Sequence, residues 1–188
     1  MNNIELVHHF ECCGVITRGN FIGKSGTTYS IETDLRNALA THKSAKETAQ
    51  RLVEQISKLV KADYAFIGVP ETGSVLAFYL NEVLANNGVS FSPNMIRSVP
   101  KDYQVSTNSV VTVLPMNRSQ KYILVEDDVV TGNTLCKYLR SVKEAGLNII
   151  GVVSVFGRNS ASAVHSLCKE YCIPYYELIN VNFLEGDV

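Results

Sequence analysis

The chain predicts an α/β fold, a mainly parallel twisted sheet flanked by helices, and three observations carry that prediction. From residue 64 onward, short runs rich in β-branched residues alternate with longer segments of helical apolar spacing. The run Tyr122–Val125 passes directly into Glu126, Asp127 and Asp128 and then into a small-residue turn, as a buried strand does where it meets a helix N-terminus. The third is size: 188 residues with 46% hydrophobic content and a net charge of −1 suffice for one domain with its own core. No repeat, low-complexity tract or Pro/Gly linker divides the chain, so residues 1–188 are read as a single domain.

Residues 3–13 are expected to form a short helix. The stretch Arg18–Asp34 is rich in Gly, Ser and Thr around Phe21–Ile22 and Tyr29–Ile31, which predicts a hairpin. From Ser44 to Lys61 the apolar positions Leu52, Val53, Ile56, Leu59 and Val60 fall at helical spacing, with Ser44 as the expected cap. A strand at 64–69 follows, then a helix at 74–86 with Val75, Leu76, Tyr79 and Val83 on its apolar face. Next come a strand near 94–99, a polar loop at 100–108, and strands at 109–114 and 121–126. The helix at 133–145 closes at Gly146, and a strand at 148–156, a helix at 160–171 and a strand at 174–179 complete the chain. In such sheets ligands bind beyond the carboxyl ends of the strands, so the loops starting at 68, 100, 127 and 157 should converge.

The near-neutral charge argues against a nucleic-acid-coating surface, and no stretch approaches the roughly 18 apolar residues of a membrane span. The N-terminus lacks a basic-then-apolar signal layout, so a cytoplasmic location is expected. The five cysteines, Cys12, Cys13, Cys136, Cys168 and Cys172, match no zinc framework and are read as free thiols. His8 and His9 have no matching ligand set and are assigned to a helix surface. Neither a GxGxxG motif nor a Walker lysine loop is present, which removes support for dinucleotide and P-loop readings.

The chemistry concentrates in Lys121–Thr134. Carboxylates at a strand end need a reason, and the turn after them supplies hydroxyls at Thr131 and Thr134, Gly132 for close backbone approach, and a helix start near Asn133 or Thr134. Backbone N–H groups suit a phosphate, while the acids suit hydroxyls or a divalent cation. A phosphorylated sugar meets both needs, although an ordinary capped strand-to-helix junction has the same outline.

This stretch resembles the signature by which type I phosphoribosyltransferases bind 5-phosphoribosyl 1-diphosphate (PRPP): four apolar residues, two acids, two or three mostly apolar residues, then Thr-Gly-x-Thr. Over roughly residues 20–160 the likeness narrows to the orotate phosphoribosyltransferases. Phe21–Gly26 and Asp34–Arg36 resemble that family's F-x-L-K-S-G and D-L-R. Gly68–Ser74 is similar to its diphosphate loop, and Arg97–Tyr103 resembles its catalytic-loop sequence R-K-x-x-K-D-[HY]. The resemblance implies the type I phosphoribosyltransferase fold, with residues 1–43 as a small hood-like segment packed on an α/β core of 44–188.

What the resemblance implies for the site is specific. Lys24 would reach the diphosphate or the base, Thr72 and Gly73 would receive the diphosphate, and Arg97, Lys101 and Tyr103 would stabilise its departure. Glu126 and Asp127 would bind the ribose hydroxyls, with Asp128, Val129, Val130, Thr131, Gly132, Asn133 and Thr134 wrapping the 5'-phosphate. Lys101, Arg97 and Asp127 are the residues on which catalysis would rest. Lys24, Val130 and Arg158 would face the base, with Arg158 on the carboxylate of orotate. Mg2+ would be the cofactor, held mainly through PRPP and with no direct protein ligand assigned. A homodimer with shared sites is implied, the 100–108 loop closing over the neighbour.

The departures are as informative as the matches. Ser98 and Gln104 replace a base and a glycine of the loop, Val130 stands where the family has a threonine, and Gly157 replaces an acid before Arg158. The acidic pair fits two registers, Glu126–Asp127 or Asp127–Asp128, and the first keeps Thr131-Gly132-x-Thr134 aligned. Alternatives to orotate transfer are transfer to another base and a PRPP-sensing regulator without catalysis.

Overall fold

The computed structural model describes residues 4–22, 28–60, 63–91, 95–96, 117–158 and 162–185. A helix, α1 (Ile4–Cys12), leads into an antiparallel hairpin of β1 (Ile16–Ile22) and β2 (Thr28–Thr33). A one-turn helix α2 (Arg36–Leu39) and the long α3 (His42–Leu59) follow. Then come β3 (Ala65–Gly68), α4 (Thr72–Asn86), β4 (Lys121–Val129), α5 (Asn133–Glu144), β5 (Asn148–Gly157), α6 (Ser162–Glu170), β6 (Tyr175–Asn180) and α7 (Val181–Glu185). Among the described residues no helix is long and apolar enough to cross a membrane.

The predicted sheet is present, in the order β3-β4-β5-β6 with every described pairing parallel. Its strands read as nearly continuous apolar runs because both faces are covered. Ile123 and Val125 of β4 face a cluster built with α1, the hairpin, α3 and α4, while Tyr122 and Leu124 face one built with α5 and α6. Leu6 and Phe10 of α1, Ile16 of β1 and Ile31 of β2 lie in the same apolar cluster as Phe66 and Val153 of the sheet. The hairpin is thereby held close to the carboxyl ends of the strands.

Several expectations need correction. The cap of α3 is Thr41, whose hydroxyl accepts the Ser44 N–H at 3.2 Å, so Ser44 is the capped residue and the helix starts earlier. Val75 is 47% exposed, and the apolar face of α4 is instead Leu76, Ala77, Leu80, Val83 and Leu84. The short helices α2 and α7 were not anticipated. Most important for the site, β4 does not stop at residue 126 but carries all three acids to Val129, because β5 continues alongside it, pairing Asp128 with Phe156 and Val129 with Gly157. The strand at 109–114, the loop at 100–108 and all but Met95 and Ile96 of the 94–99 strand lie outside the described residues.

One buried polar residue fixes α4 to the sheet. Asn81 accepts the Phe66 N–H at 2.8 Å and donates to the Phe66 carbonyl at 2.9 Å, so one amide satisfies both main-chain groups on that side of β3. The turn between β3 and α4 is therefore held from both ends. Replacing Asn81 with Leu leaves a buried donor and a buried acceptor unpaired, which should cost roughly 2–4 kcal/mol in chemical denaturation. A loss no larger than that of a surface substitution would show that water or a rearranged backbone replaces the amide.

Candidate functional site

The site starts from unequal strand lengths. β3 ends at Gly68, level with Val125, whereas β4 runs four residues further, so Glu126–Val129 are paired on the β5 side only. The turn after β3 folds across the vacated edge, with the Val69 N–H bonded to the Val125 carbonyl at 2.9 Å. Glycine is needed at two points of this turn. A Cβ on Gly68 would collide with the Gly73 carbonyl, and one on Gly73 would lie 2.8 Å from the Val125 carbonyl oxygen and 3.7 Å from Glu126 Oε1. The Gly68–Ser74 turn, with a cis Pro70–Glu71 bond, thus sits directly against the first acid of β4.

The three acids have different surroundings. Glu126 is 7% exposed, and burial, together with the hydrogen bond and charge of Asp127, pushes its pKa up to about 10. Its Oε1 accepts the Asp127 N–H at 3.1 Å. Asp127 is half-buried and lines a cleft of about 240 Å3 together with Thr33, Asp34, Arg36, Thr72 and Asp128. Asp128 accepts the Thr33 hydroxyl at 2.8 Å through Oδ2, while its Oδ1 is buried and, among the described residues, has no hydrogen-bond partner. Burial also lifts the Asp128 carboxyl above the ordinary range, against the pull of Thr33 and Arg158.

Beyond β4 the chain turns into α5. The cap of that helix is Gly132, at φ +77. Its left-handed backbone and the methyl of Val164, 2.5 Å from where a Cβ would stand, both demand glycine there. Val130, Thr131, Asn133 and Thr134 are exposed around this helix N-terminus, while Val129 is buried beneath it. Two hydroxyls and main-chain N–H groups stand at the positive end of this helix, an arrangement able to receive an anion.

The hairpin supplies the facing wall. Tyr29, Ile31 and Thr33 share one side of β2. Arg158, just past β5, donates to the Ile31 carbonyl at 3.3 Å and lies 5.3 Å from the Tyr29 ring centroid. A second pocket of about 180 Å3 results, lined by Phe21, Tyr29, Thr33, Asp128, Val130 and Arg158. Arg36 grips Asp34 through two contacts of 2.7 Å, and this hydrogen-bonded pairing holds the Asp34 carboxyl below the usual carboxylate range. Asp128 belongs to both the cleft and the pocket.

Glu126, Asp127, Asp128, Thr72, Gly73, Val130 and Arg158 are thus brought together at the carboxyl ends of β3, β4 and β5, with Val129–Thr134 beside them. Lys24, Arg97, Lys101 and Tyr103, with the departures Ser98 and Gln104, lie outside the described residues. Sequence reading missed Tyr29 and Thr33 as wall residues. Asp34 and Arg36 carry a signal in the sequence, the D-L-R triplet, to which the resemblance assigns no task. Gly157 also proves more than a lost acid. A Cβ there would collide with the carboxyl group of Glu177, which reaches across from β6 into that space.

Comparison with known proteins agrees with this geometry. The sequence profile of the phosphoribosyl transferase domain matches residues 36–180. The orotate phosphoribosyltransferase of Bacillus subtilis (strain 168) is 27% identical over 190 residues, covering 98% of this chain and 82% of that protein. That of Cutibacterium acnes is 26% identical over 164 residues, covering 87% and 72%. The crystal structure of the Francisella tularensis orotate phosphoribosyltransferase superposes with a TM-score of 0.74 at 21% identity, over 96% of this chain and 84% of that one. The Aeropyrum pernix enzyme gives 0.72 at 19%, over 95% and 94%. The profile match and these relatives therefore define a phosphoribosyl-transfer enzyme with the type I fold. The chain belongs to the phosphoribosyl transferase domain family.

Two predictions follow from these surroundings. Gly157→Ala should lower the melting temperature by a few degrees, as overpacking costs about 1–3 kcal/mol. Adding Glu177→Ala should recover most of that loss, and additive losses would show that the two positions do not share one space. Glu126 is an acid whose folded pKa lies above its unfolded one, so its contribution to stability is greatest below the unfolded value near 4.5 and is lost as pH rises towards about 10. Glu126→Gln removes that titration, so the variant should gain on the wild type in melting temperature between about pH 5 and about pH 8. A difference that stays constant with pH would show that Glu126 is ionised throughout.

Proposed function

We propose that this chain transfers the phosphoribosyl group of PRPP to orotate, forming orotidine 5'-phosphate and diphosphate. The observation that carries the reading is Arg158, a cation at the end of β5 in a small aromatic-walled pocket that adjoins the acid-lined cleft at Asp128. A flat ring bearing a carboxylate suits this pocket, with Arg158 for the anion and Phe21 and Tyr29 for the ring faces. The named relatives act on orotate, which supports the same base.

In this reading the 5'-phosphate occupies the cradle of Thr131–Thr134 and the α5 N-terminus. Glu126 and Asp127 hold the ribose hydroxyls, and the Gly68–Ser74 turn receives the diphosphate through main chain and the Thr72 hydroxyl. The transfer breaks the anomeric carbon–oxygen bond ahead of attack, so charge builds on the departing diphosphate and on the sugar ring together. Lys24, Arg97, Lys101 and Tyr103 are proposed, by resemblance, to meet the diphosphate charge. Little covalent work falls to the protein, so positioning and electrostatics account for most of the rate.

Magnesium is proposed as the cofactor, carried on PRPP, where it neutralises diphosphate charge. The carboxylate oxygens lining the cleft are hard donors compatible with a ligand so loaded. A homodimer in which the 100–108 loop serves the neighbouring site, and a cytoplasmic location, complete the proposal.

The test is a panel of bases with PRPP and magnesium, following diphosphate release. Orotate should give the fastest turnover, and Arg158→Ala should raise its KM by at least about tenfold with little change in the KM for PRPP. Faster turnover of hypoxanthine, guanine or uracil would move the chain to another substrate, and no turnover of any base would make it a PRPP-binding regulator.

A further inference from the structure

We infer that Glu177 is a positioning residue of the base pocket, its carboxyl reaching from β6 into the space beside Gly157 and fixing the point from which Arg158 leaves β5. The inference rests on the phosphoribosyl-transfer reading above and adds to it a residue remote from the acids of β4. Glu177 pairs in register with Ser154, so its side chain runs three residues along β5 to reach Gly157. Its Cγ lies 2.6 Å from where a Cβ on Gly157 would stand, and Cδ and Oε2 lie nearer still. A carboxyl group therefore sits where a side chain of residue 157 would put one. The resemblance expects an acid at that position, so the acid is displaced in sequence but kept in space. Such a transfer needs glycine at 157, because two side chains cannot share the volume.

What the carboxyl does there follows from its neighbours. Gly157 pairs with Val129 of β4 on one side and with Asn180 of β6 on the other. On the β4 side the Arg158 N–H donates to the Val129 carbonyl at 3.1 Å. On the β6 side the Asn180 side chain hydrogen-bonds the Glu177 carboxyl, while the Asn180 Oδ1 accepts the Asn182 N–H of α7 at 3.0 Å. Burial raises the Glu177 pKa, with that hydrogen bond and His165 on α6 opposing and Asp128 adding to the rise. Glycine has the most backbone freedom of any residue, and the carboxyl packed on it removes that freedom at the last residue of β5. The Arg158 guanidinium then departs from a fixed origin toward the Ile31 carbonyl and the Tyr29 ring. Without the carboxyl, a void opens beside Gly157 and the Asn180 amide loses its acceptor, so Arg158 should shift in the pocket it lines.

The experiment measures diphosphate release from PRPP with magnesium and whichever base the wild type turns over fastest, alongside melting temperature. Glu177→Ala should raise the KM for the base about fivefold, with kcat and the KM for PRPP within about twofold of wild type. Glu177→Gln keeps both the shape and the acceptor, so each constant should stay within about twofold of wild type. Two double variants separate positioning from packing. Gly157→Ala with Glu177→Ala fills the void with a methyl group and should recover melting temperature while the base KM stays raised. Gly157→Asp with Glu177→Ala returns the carboxyl from position 157 and should bring the base KM back to within about twofold of wild type. Recovery of the base KM by alanine as fully as by aspartate, or a loss in Glu177→Ala that falls equally on both substrates, would overturn the proposal and make Glu177 a packing residue. Should Glu177→Ala fail to fold, the two double variants decide, since equal base KM values in both overturn it. Wild-type turnover with an unchanged base KM in Glu177→Ala overturns it and leaves the phosphoribosyl-transfer reading standing, whereas absence of turnover on every base removes both.

Discussion

The structure depends on one mismatch of strand length. Because β4 outruns β3 by four residues while β5 keeps pace with it, the acids of β4 are paired on one edge and open on the other. That open edge is where the Gly68–Ser74 turn can cross, and it crosses at van der Waals contact because neither Gly68 nor Gly73 has a side chain. Had β3 continued, a fifth residue would occupy the space the turn now uses, and the acids would face a neighbouring strand. Function here begins as a termination: the place where a parallel sheet stops pairing is the place where polar groups can face a ligand.

The two clefts on either side of Asp128 follow from the same overhang. The hairpin packs through Ile16 and Ile31 into the apolar cluster below the sheet, which brings β2 within reach of the extended end of β4. Thr33 and Asp128 are 95 positions apart in the chain, yet their bond joins the hairpin to the sheet at the point that divides cleft from pocket. Arg158 ties the other end of the wall through the Ile31 carbonyl. A segment that starts as an appendage thus becomes one face of the site, tied among the described residues to Asp128 of β4 and to Arg158 just past β5.

Much of this was legible in the sequence, and what was not has physical reasons. The alternation of short β-branched runs with helical periods identified the parallel sheet, because strands buried on both faces leave no polar alternation to confuse with a helix. The turn into α5 was legible because its Gly132 occupies a left-handed backbone position that favours glycine. The extent of β4 was not, since carboxylates look like the end of a strand unless a partner strand is known to continue. Thr41 and Ser44 are both small hydroxyl residues at capping spacing, and only the backbone distinguishes the one that caps from the one that is capped. Gly157 read as the loss of an acid because the group filling its place, Glu177, arrives from a strand 20 residues further on, and no local pattern announces that.

Two buried polar residues show how fold and function are set apart in this domain. Asn81 has its amide oxygen and nitrogen both bonded to Phe66, so its burial stabilises the fold and asks nothing of a ligand. Among the described residues Asp128 is half satisfied, and burial pushes the pKa of Glu126, two positions before it on the same strand, up to about 10. Neither arrangement favours the folded chain, since an unpaired acceptor and a desolvated acid each cost stability that apolar residues at those positions would not. Such costs persist where a bound molecule offsets them, and here they fall on alternate residues of one strand overhang rather than being scattered through the core. The energetic weak point of the unliganded fold, Glu126 and Asp128, therefore lies in the same overhang of β4 as the proposed site of reaction, and a substitution that relieves the first should be expected to impair the second.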